Sequence, residues 1–320
     1  MRGTFKNLFA ALASLLLCAS ATVPLAQSRT DVAGRAEVRR DVRTVTIPVT
    51  LRLPERAPQS EVHYLDDLQV FEDGERQEVL AMRGEGRSPL TLAVLIQDDL
   101  VSSMSNEIRG IGDFIRKLPP GSRVMVAYLS SGSLRVRQKF TGDLERAAKS
   151  LRIPVSSASA SPYNPFSLTR DAVKRFESQP VGRRAVLLIS DGIDLSRGFS
   201  NSSPATSIDL QRTVNESQRL GVAVYSIFAP TVGGGGPLLV NNGQGSLARL
   251  SDETGGRAFM QGTAAPVSID HFLRDLDALL SRQFALTYLS THADKGFHKV
   301  RVVANMTDGE IFYPKGYTTR

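Results

Sequence analysis

Two uninterrupted apolar runs, Leu92-Ala93-Val94-Leu95-Ile96 and Ala185-Val186-Leu187-Leu188-Ile189, constrain the fold of this chain more than any other feature. A strand without a polar face has no side to turn to water, so each run belongs inside a sheet covered on both faces. The surrounding segments supply the cover. From Pro89 onward, strand-like stretches at 91–97, 123–129, 134–140, 185–190, 222–228 and 257–260 alternate with helical patterns. In the first of these, Ile108, Ile111, Ile115 and Leu118 recur at helical spacing until Pro119-Pro120-Gly121 stops them. Further helices are expected at 143–151, 170–176, 208–220, 247–254 and 269–280. This order predicts an α/β fold with a doubly wound, mostly parallel, Rossmann-like sheet over residues 89–283.

The preceding segment reads differently. Val45, Ile47, Val49, Leu51 and Leu53 alternate with Thr44, Thr46, Pro48, Thr50 and Arg52, the period of a half-buried strand, and Pro48 suggests an edge. Runs at 68–72 and 78–82 flank Asp73-Gly74, a dipeptide that accepts positive φ and marks a tight hairpin. Residues 38–87 therefore read as a small accessory β domain. The tail, 284–320, carries two more strands, at 284–289 and 299–304, which either complete that domain or extend the edge of the wound sheet.

Both central runs end in acid, Asp98-Asp99 after the first and Ser190-Asp191-Gly192 after the second. The carboxyl ends of neighbouring parallel strands share one edge, so acids and hydroxyls delivered there converge on a crevice suited to a hard cation such as Mg2+. Between the two, residues 154–169 form a Ser- and Pro-rich loop, longer than the usual connection of about 4 to 6 residues.

The length of 320 residues, with 41% apolar and 22% charged, is ordinary for a protein with a real core and excludes a disordered chain. At the N-terminus, Arg2 and Lys6 precede an apolar run at 8–17 and the small residues Ala19-Ser20-Ala21. That is the layout of a secretory signal peptide within residues 1–26. The run falls short of the roughly 20 residues of a stable membrane span, so a periplasmic or secreted protein is expected. Cys18, the single cysteine, leaves with the signal, and the mature chain then has no thiol for a disulfide, a nucleophile or a metal. Loss of Arg2 and Lys6 lowers the formal charge from +7 to +5. The remaining basic residues are interspersed with acids, which argues against nucleic acid as a partner.

The order of these motifs resembles a von Willebrand factor A domain. In that family one strand ends in Asp-x-Ser-x-Ser, a later loop gives a Thr and another strand ends in Asp, together forming a metal-ion-dependent adhesion site. Leu68-Gln69-Val70-Phe71-Glu72-Asp73-Gly74, Phe297-His298-Lys299-Val300-Arg301-Val302 and Lys315-Gly316-Tyr317 further resemble the von Willebrand A-related proteins common in Acidobacteria. The resemblance spans residues 38–317. It implies a module that binds a protein partner, with an acidic side chain of that partner completing a Mg2+ shell. Carried over by position, Asp98 is the first acid, Ser102 a direct ligand, Ser161 the loop hydroxyl, with Ser159 or Ser167 as substitutes, and Asp191 the second acid. An alternative register uses Asp99 and Ser103, and Asp194 adds charge behind the site. In either register Leu100 or Val101 replaces the family's middle Ser, so the adhesion site is degenerate by one oxygen ligand.

Each residue also has an ordinary structural reading. Asp98 or Asp99 can cap the next helix, Ser102 and Ser103 can satisfy its free N–H groups, and Asp191-Gly192 can be a turn. Their joint arrival at two strand ends favours a site. The rival chemistry is an extracytoplasmic Mg2+-dependent phosphohydrolase using the same acids. No Asp-x-Asp-x-Thr nucleophile motif, G-x-S-x-G elbow or phosphate loop accompanies them, so a binding protein and not an enzyme is expected. His63, His271, His292 and His298 stand at no metal-ligand spacing, and His298 is expected to be structural. Gly233-Gly234-Gly235-Gly236 reads as a flexible connector, and Tyr163 and Phe166 as either partner anchors or sheet-packing residues.

Overall fold

The computed structural model describes residues 42–52, 68–199, 202–292, 294–304 and 309–319, so the expected signal peptide lies outside the described residues. In chain order the first elements are β1 (Arg43–Arg52), β2 (Gln69–Glu72), β3 (Glu75–Arg83), β4 (Leu90–Gln97) and, after a 3-10 turn, α1 (Ile108–Lys117). Then come β5 (Arg123–Ser130), β6 (Ser133–Thr141), α2 (Leu144–Lys149), α3 (Pro165–Val173), β7 (Arg183–Ser190) and α4 (Ile208–Arg219). The last are β8 (Ala223–Phe228), α5 (Pro237–Glu253), β9 (Ala258–Phe259), α6 (Asp270–Ser281), β10 (Gln283–Ser290), β11 (Gly296–Val303), β12 (Glu310–Phe312) and β13 (Gly316–Thr319).

The chain is mixed α/β, with a parallel-rich sheet and an accessory antiparallel one. The first has the order β6-β5-β4-β7-β8-β9. Here β4 pairs in parallel with both β5 and β7, β7 with β8 and β8 with β9, while β6 runs antiparallel at the edge. Alternate side chains of β4 enter opposite layers, as the period of two requires. Leu92, Val94 and Ile96 pack with Ile111 and Ile115 of α1 and Leu276 and Leu280 of α6. Ala93 and Leu95 pack on the other side with Phe166 of α3, Val214 of α4 and Leu250 of α5. Every residue of β4 and β7 is buried. Polar side chains are thereby confined to the strand ends.

The antiparallel sheet has the order β12-β1-β10-β3-β2-β11-β13, so the C-terminal strands interleave with the N-terminal ones. β10 lies between β1 and β3, and β11 pairs with β2. The hairpin at Asp73-Gly74 has φ of 49 and 92 degrees at its two central residues, the left-handed pair that a two-residue turn demands. Among the described residues β12 pairs β1 only from Thr50 to Arg52, which leaves the outer side of Pro48 unpaired, where its missing N–H costs no ladder bond. The sheets meet where the buried Thr50 hydroxyl bonds the Tyr225 hydroxyl of β8 at 3.0 Å.

Two helices begin earlier than the sequence pattern indicates. α3 starts at Pro165, because Asn164 caps it by accepting from the Ser167 amide at 2.9 Å and Pro165 suits the first helical position. This draws Phe166 into the core, fully buried, while Tyr163 just ahead stays 59% exposed. α5 starts at Pro237 and runs through Asn241, Asn242, Gly243 and Gly245, residues whose low helix propensity hides it from a pattern reading. The last residue of the Gly233 to Gly236 run is its N-cap.

Candidate functional site

Gln97 is the last residue of β4 and Ser190 the last of β7, and the register Ile96↔Ile189 sets them side by side. The Ser190 hydroxyl donates to Gln97 Oε1, and the Gln97 amide nitrogen donates to Asp99 Oδ1 at 2.9 Å. A polar bridge therefore joins the two strand ends and orients the acid that follows the first. The Ile193 amide donates to Asp191 Oδ1 at 3.0 Å, and the Thr231 hydroxyl, in the loop after β8, donates to Asp191 Oδ2 at 3.2 Å. The backbone supports this closure, with Val101 N donating to Pro230 O and Val232 N to Asp99 O.

Asp191 is aimed by a close approach between its loop and α5. A Cβ at Gly243 would stand 2.1 Å from the Asp191 carbonyl oxygen, and one at Gly192, whose φ is +68 degrees, 2.5 Å from the Gly243 carbonyl. Only glycine at both positions lets helix and loop touch at backbone distance. The weak helix former at position 243 thus serves packing.

The two acids of the Asp98-Asp99 pair have separate fates. Asp98 is 1% exposed, and both of its oxygens accept from Arg152, Oδ1 from Nη1 and Oδ2 from Nη2, each at 2.7 Å. Oδ1 also accepts from the Val155 amide at 2.9 Å. The guanidinium lies 4.0 Å from the centre of the Tyr128 ring, and the Tyr128 hydroxyl accepts from the Arg152 amide at 2.8 Å. Burial pushes the Asp98 carboxyl up, but the Arg152 pair, the Val155 amide and the Ser130 hydroxyl outweigh it and hold the group below its ordinary range. Its charge is satisfied within the protein.

Asp99 turns the other way, toward Asp191. Burial raises its carboxyl, and so does the charge of Asp98, against hydrogen bonds from Gln97 and the Ser161 hydroxyl. Burial raises Asp191 further, to about 7, with the charge of Asp99 adding to it and the Ile193 amide, Gln97 and Thr231 opposing. Burial and the charge of Asp99 thus oppose ionisation of Asp191, which favours a proton or a cation at this edge. The candidate ligands here, Asp99, Asp191, Ser161 and Thr231, all offer oxygen, while Gln97 turns its amide nitrogen to Asp99. That set fits a hard divalent cation such as Mg2+ or Mn2+.

The structure therefore brings Asp99, Ser161 and Asp191 together and commits Asp98 to an internal ion pair. Ser102 and Ser103 are exposed in the 3-10 turn before α1. Ser159 pairs with the Ser157 hydroxyl at 3.0 Å, and the Ser167 hydroxyl donates back to the Asn164 carbonyl. Asp194 accepts from the Ser196 and Ser207 hydroxyls and braces the loop that leads to α4. Gln97, Thr231 and Arg152 are absent from the sequence reading. Gln97 had a signal, a lone polar residue closing an apolar strand before the acids. Arg152 and Thr231 had none, because only tertiary contact puts them at this edge.

No family model and no curated protein matches the sequence. Among solved structures, an aerotolerance-related membrane protein from Bacteroides fragilis, carrying multiple mutations to serines, is similar at a TM-score of 0.42 and 11% identity, over 60% of this chain and 98% of that one. The conserved hypothetical protein BatB from Bacteroides thetaiotaomicron gives 0.41 and 13%, over 61% and 97%. Manganese-loaded TRAP protein from Plasmodium vivax gives 0.39 and 12%, over 78% and 99%. Likeness at this level establishes neither family nor function.

Proposed function

We propose that this chain is an exported protein-binding module of the von Willebrand A type, and that it recognises its partner at the carboxyl edge of the parallel-rich sheet. The observation that carries the reading is the buried acids Asp99 and Asp191, surrounded by neutral oxygen and amide donors and raised in pKa first by burial, with the charge of Asp98 adding to Asp99 and that of Asp99 to Asp191. Asp99, Asp191, Ser161 and Thr231 would hold a divalent cation, Mg2+ or Mn2+. When bound, such a cation offers a positive site to a carboxylate of the partner. Asp98 takes no part, because Arg152 already neutralises it. The module recognises and does not catalyse.

Calorimetric titration of the chelator-treated chain with Mg2+ and Mn2+, beside Asp191→Asn, tests the site. Saturable binding lost in the variant is expected, and no binding by the parent chain refutes it. A raised carboxyl beside a second acid is also the arrangement of an acid–base pair, so a phosphate-ester screen covers the rival activity. Turnover that disappears in Asp99→Asn would replace the binding reading with a hydrolytic one.

A further inference from the structure

A second cluster of titratable side chains lies in the antiparallel sheet, built from residues far apart in sequence. β2 ends at Glu72, the hairpin turn supplies Asp73, His292 follows the end of β10 and His298 lies near the start of β11. One ligand atom each from Glu72, Asp73 and His292 lie within 4.8 Å of one another. His298 Nδ1 joins them, 2.8 Å from Asp73 Oδ2 and 3.6 Å from Glu72 Oε1. His292 Nδ1 stands 3.3 Å from the same Glu72 oxygen. Two carboxylates and the His292 imidazole thus form one group, with the His298 ring against its Asp73 side.

The atoms of that group are already held from behind. The His298 ring bridges two acceptors, with Nδ1 2.8 Å from Asp73 Oδ2 and Nε2 2.9 Å from the Asp294 carbonyl, and so fixes the Asp73 carboxylate in place. Asp73 Oδ1 accepts from the Lys299 amide at 2.8 Å, while Oδ2 faces His298. Glu72 Oε1 accepts from the Ser290 hydroxyl at 2.8 Å and the Tyr317 hydroxyl at 2.7 Å. Among the described residues, the other oxygen of the fully buried Glu72 has no hydrogen-bond partner, and neither has His292 Nδ1. A buried carboxylate oxygen without a partner is destabilising unless something binds it. Hydrogen bonds from Ser290, Tyr317, Lys299 and His298 thus orient the two carboxylates, as the supporting shell of a metal centre does.

We propose that Glu72, Asp73 and His292, with His298 orienting Asp73, form a divalent transition-metal site of the zinc class, separate from the strand-end acids. A mixed nitrogen and oxygen set of three, with water as the fourth ligand, suits tetrahedral Zn2+ and disfavours Mg2+, which prefers oxygen alone. Asp73 is exposed and His292 partly so, which gives the ion a way in. The ion ties the hairpin to strands contributed by the C-terminal tail, so its role is to hold the interleaved sheet closed.

The test uses the untagged full chain after chelator treatment, titrated with Zn2+, Co2+ and Mg2+, beside His292→Ala and Asp191→Asn. One Zn2+ per chain, bound at least tenfold tighter than Mg2+ and raising the thermal midpoint, is expected. Asp191→Asn retains it and His292→Ala weakens it at least tenfold. Co2+ bound to the parent chain gives the intense visible absorption of a tetrahedral site, a readout independent of any variant. No Zn2+ binding, binding unaltered by His292→Ala, or a weak octahedral Co2+ spectrum would each overturn the assignment and leave the cluster as hydrogen bonds between strands.

Discussion

Asp191→Asn should stabilise the metal-free protein at neutral and alkaline pH, although it alters a residue of the proposed site. Asp191 is 7% exposed, and its carboxyl is raised from 3.8 to about 7, first by burial and then by the charge of Asp99. The sign follows from linkage. An acid whose folded pKa lies above its unfolded one keeps its proton longer in the native state, so its contribution is complete below the unfolded pKa and disappears as pH rises through the folded one. At 1.36 kcal/mol per unit, full ionisation costs about 4 kcal/mol, of which about 2 to 3 kcal/mol falls between about pH 5 and about pH 8. Asn keeps an oxygen for the Ile193 amide and removes the charge, so that slope goes. The chain has no Trp, so urea unfolding in chelator is followed by circular dichroism across that range, with m checked for constancy. The parent should lose stability toward pH 8 and the variant should not. Equal slopes in both would refute the claim that Asp191 carries a repelled, buried charge. Saturating Mg2+ should then restore the parent selectively, because only the native state holds the two acids together.

Other outcomes follow from the same contacts. Arg152→Ala leaves Asp98 buried without its counter-ion and should cost about 2 to 4 kcal/mol in chemical denaturation, below a fully buried pair because Arg152 is partly exposed. Asp98 is depressed in the fold, so its stabilisation is present above the unfolded pKa and lost as pH falls through the folded one. The Arg152→Ala chain should therefore lose part of that acid-side dependence, seen as a flatter unfolding midpoint below about pH 4. Gly243→Ala forces a Cβ against the Asp191 carbonyl. It should destabilise by about 1 to 3 kcal/mol and weaken Mn2+ binding by calorimetry, since it moves the acid itself. Ser207→Ala removes the cap of α4 and a donor to Asp194. It should cost about 1 to 2 kcal/mol while leaving cation affinity unchanged, which separates loss of stability from loss of the site.

The sequence by itself determined the parallel core. Runs such as 92–96 and 185–189 admit no exposed face, and their spacing with helical segments leaves a wound sheet as the way to cover them. It also determined the edge at which acids collect, because polar residues after such strands have nowhere else to go. Tertiary structure decided which acid faces which neighbour. Asp98 and Asp99 are adjacent in sequence, and only the position of Arg152 at the start of the long loop draws Asp98 away and leaves Asp99 beside Asp191. The destination of the C-terminal strands was decided the same way: alternation shows that 284–289 is a strand, but its partners, β1 and β3, come from the opposite end of the chain. Glu72, Asp73, His292 and His298 are invisible as a group for that reason. Local propensity reads a few residues at a time, whereas a site assembled across more than 200 positions exists only after the strands that carry it have paired.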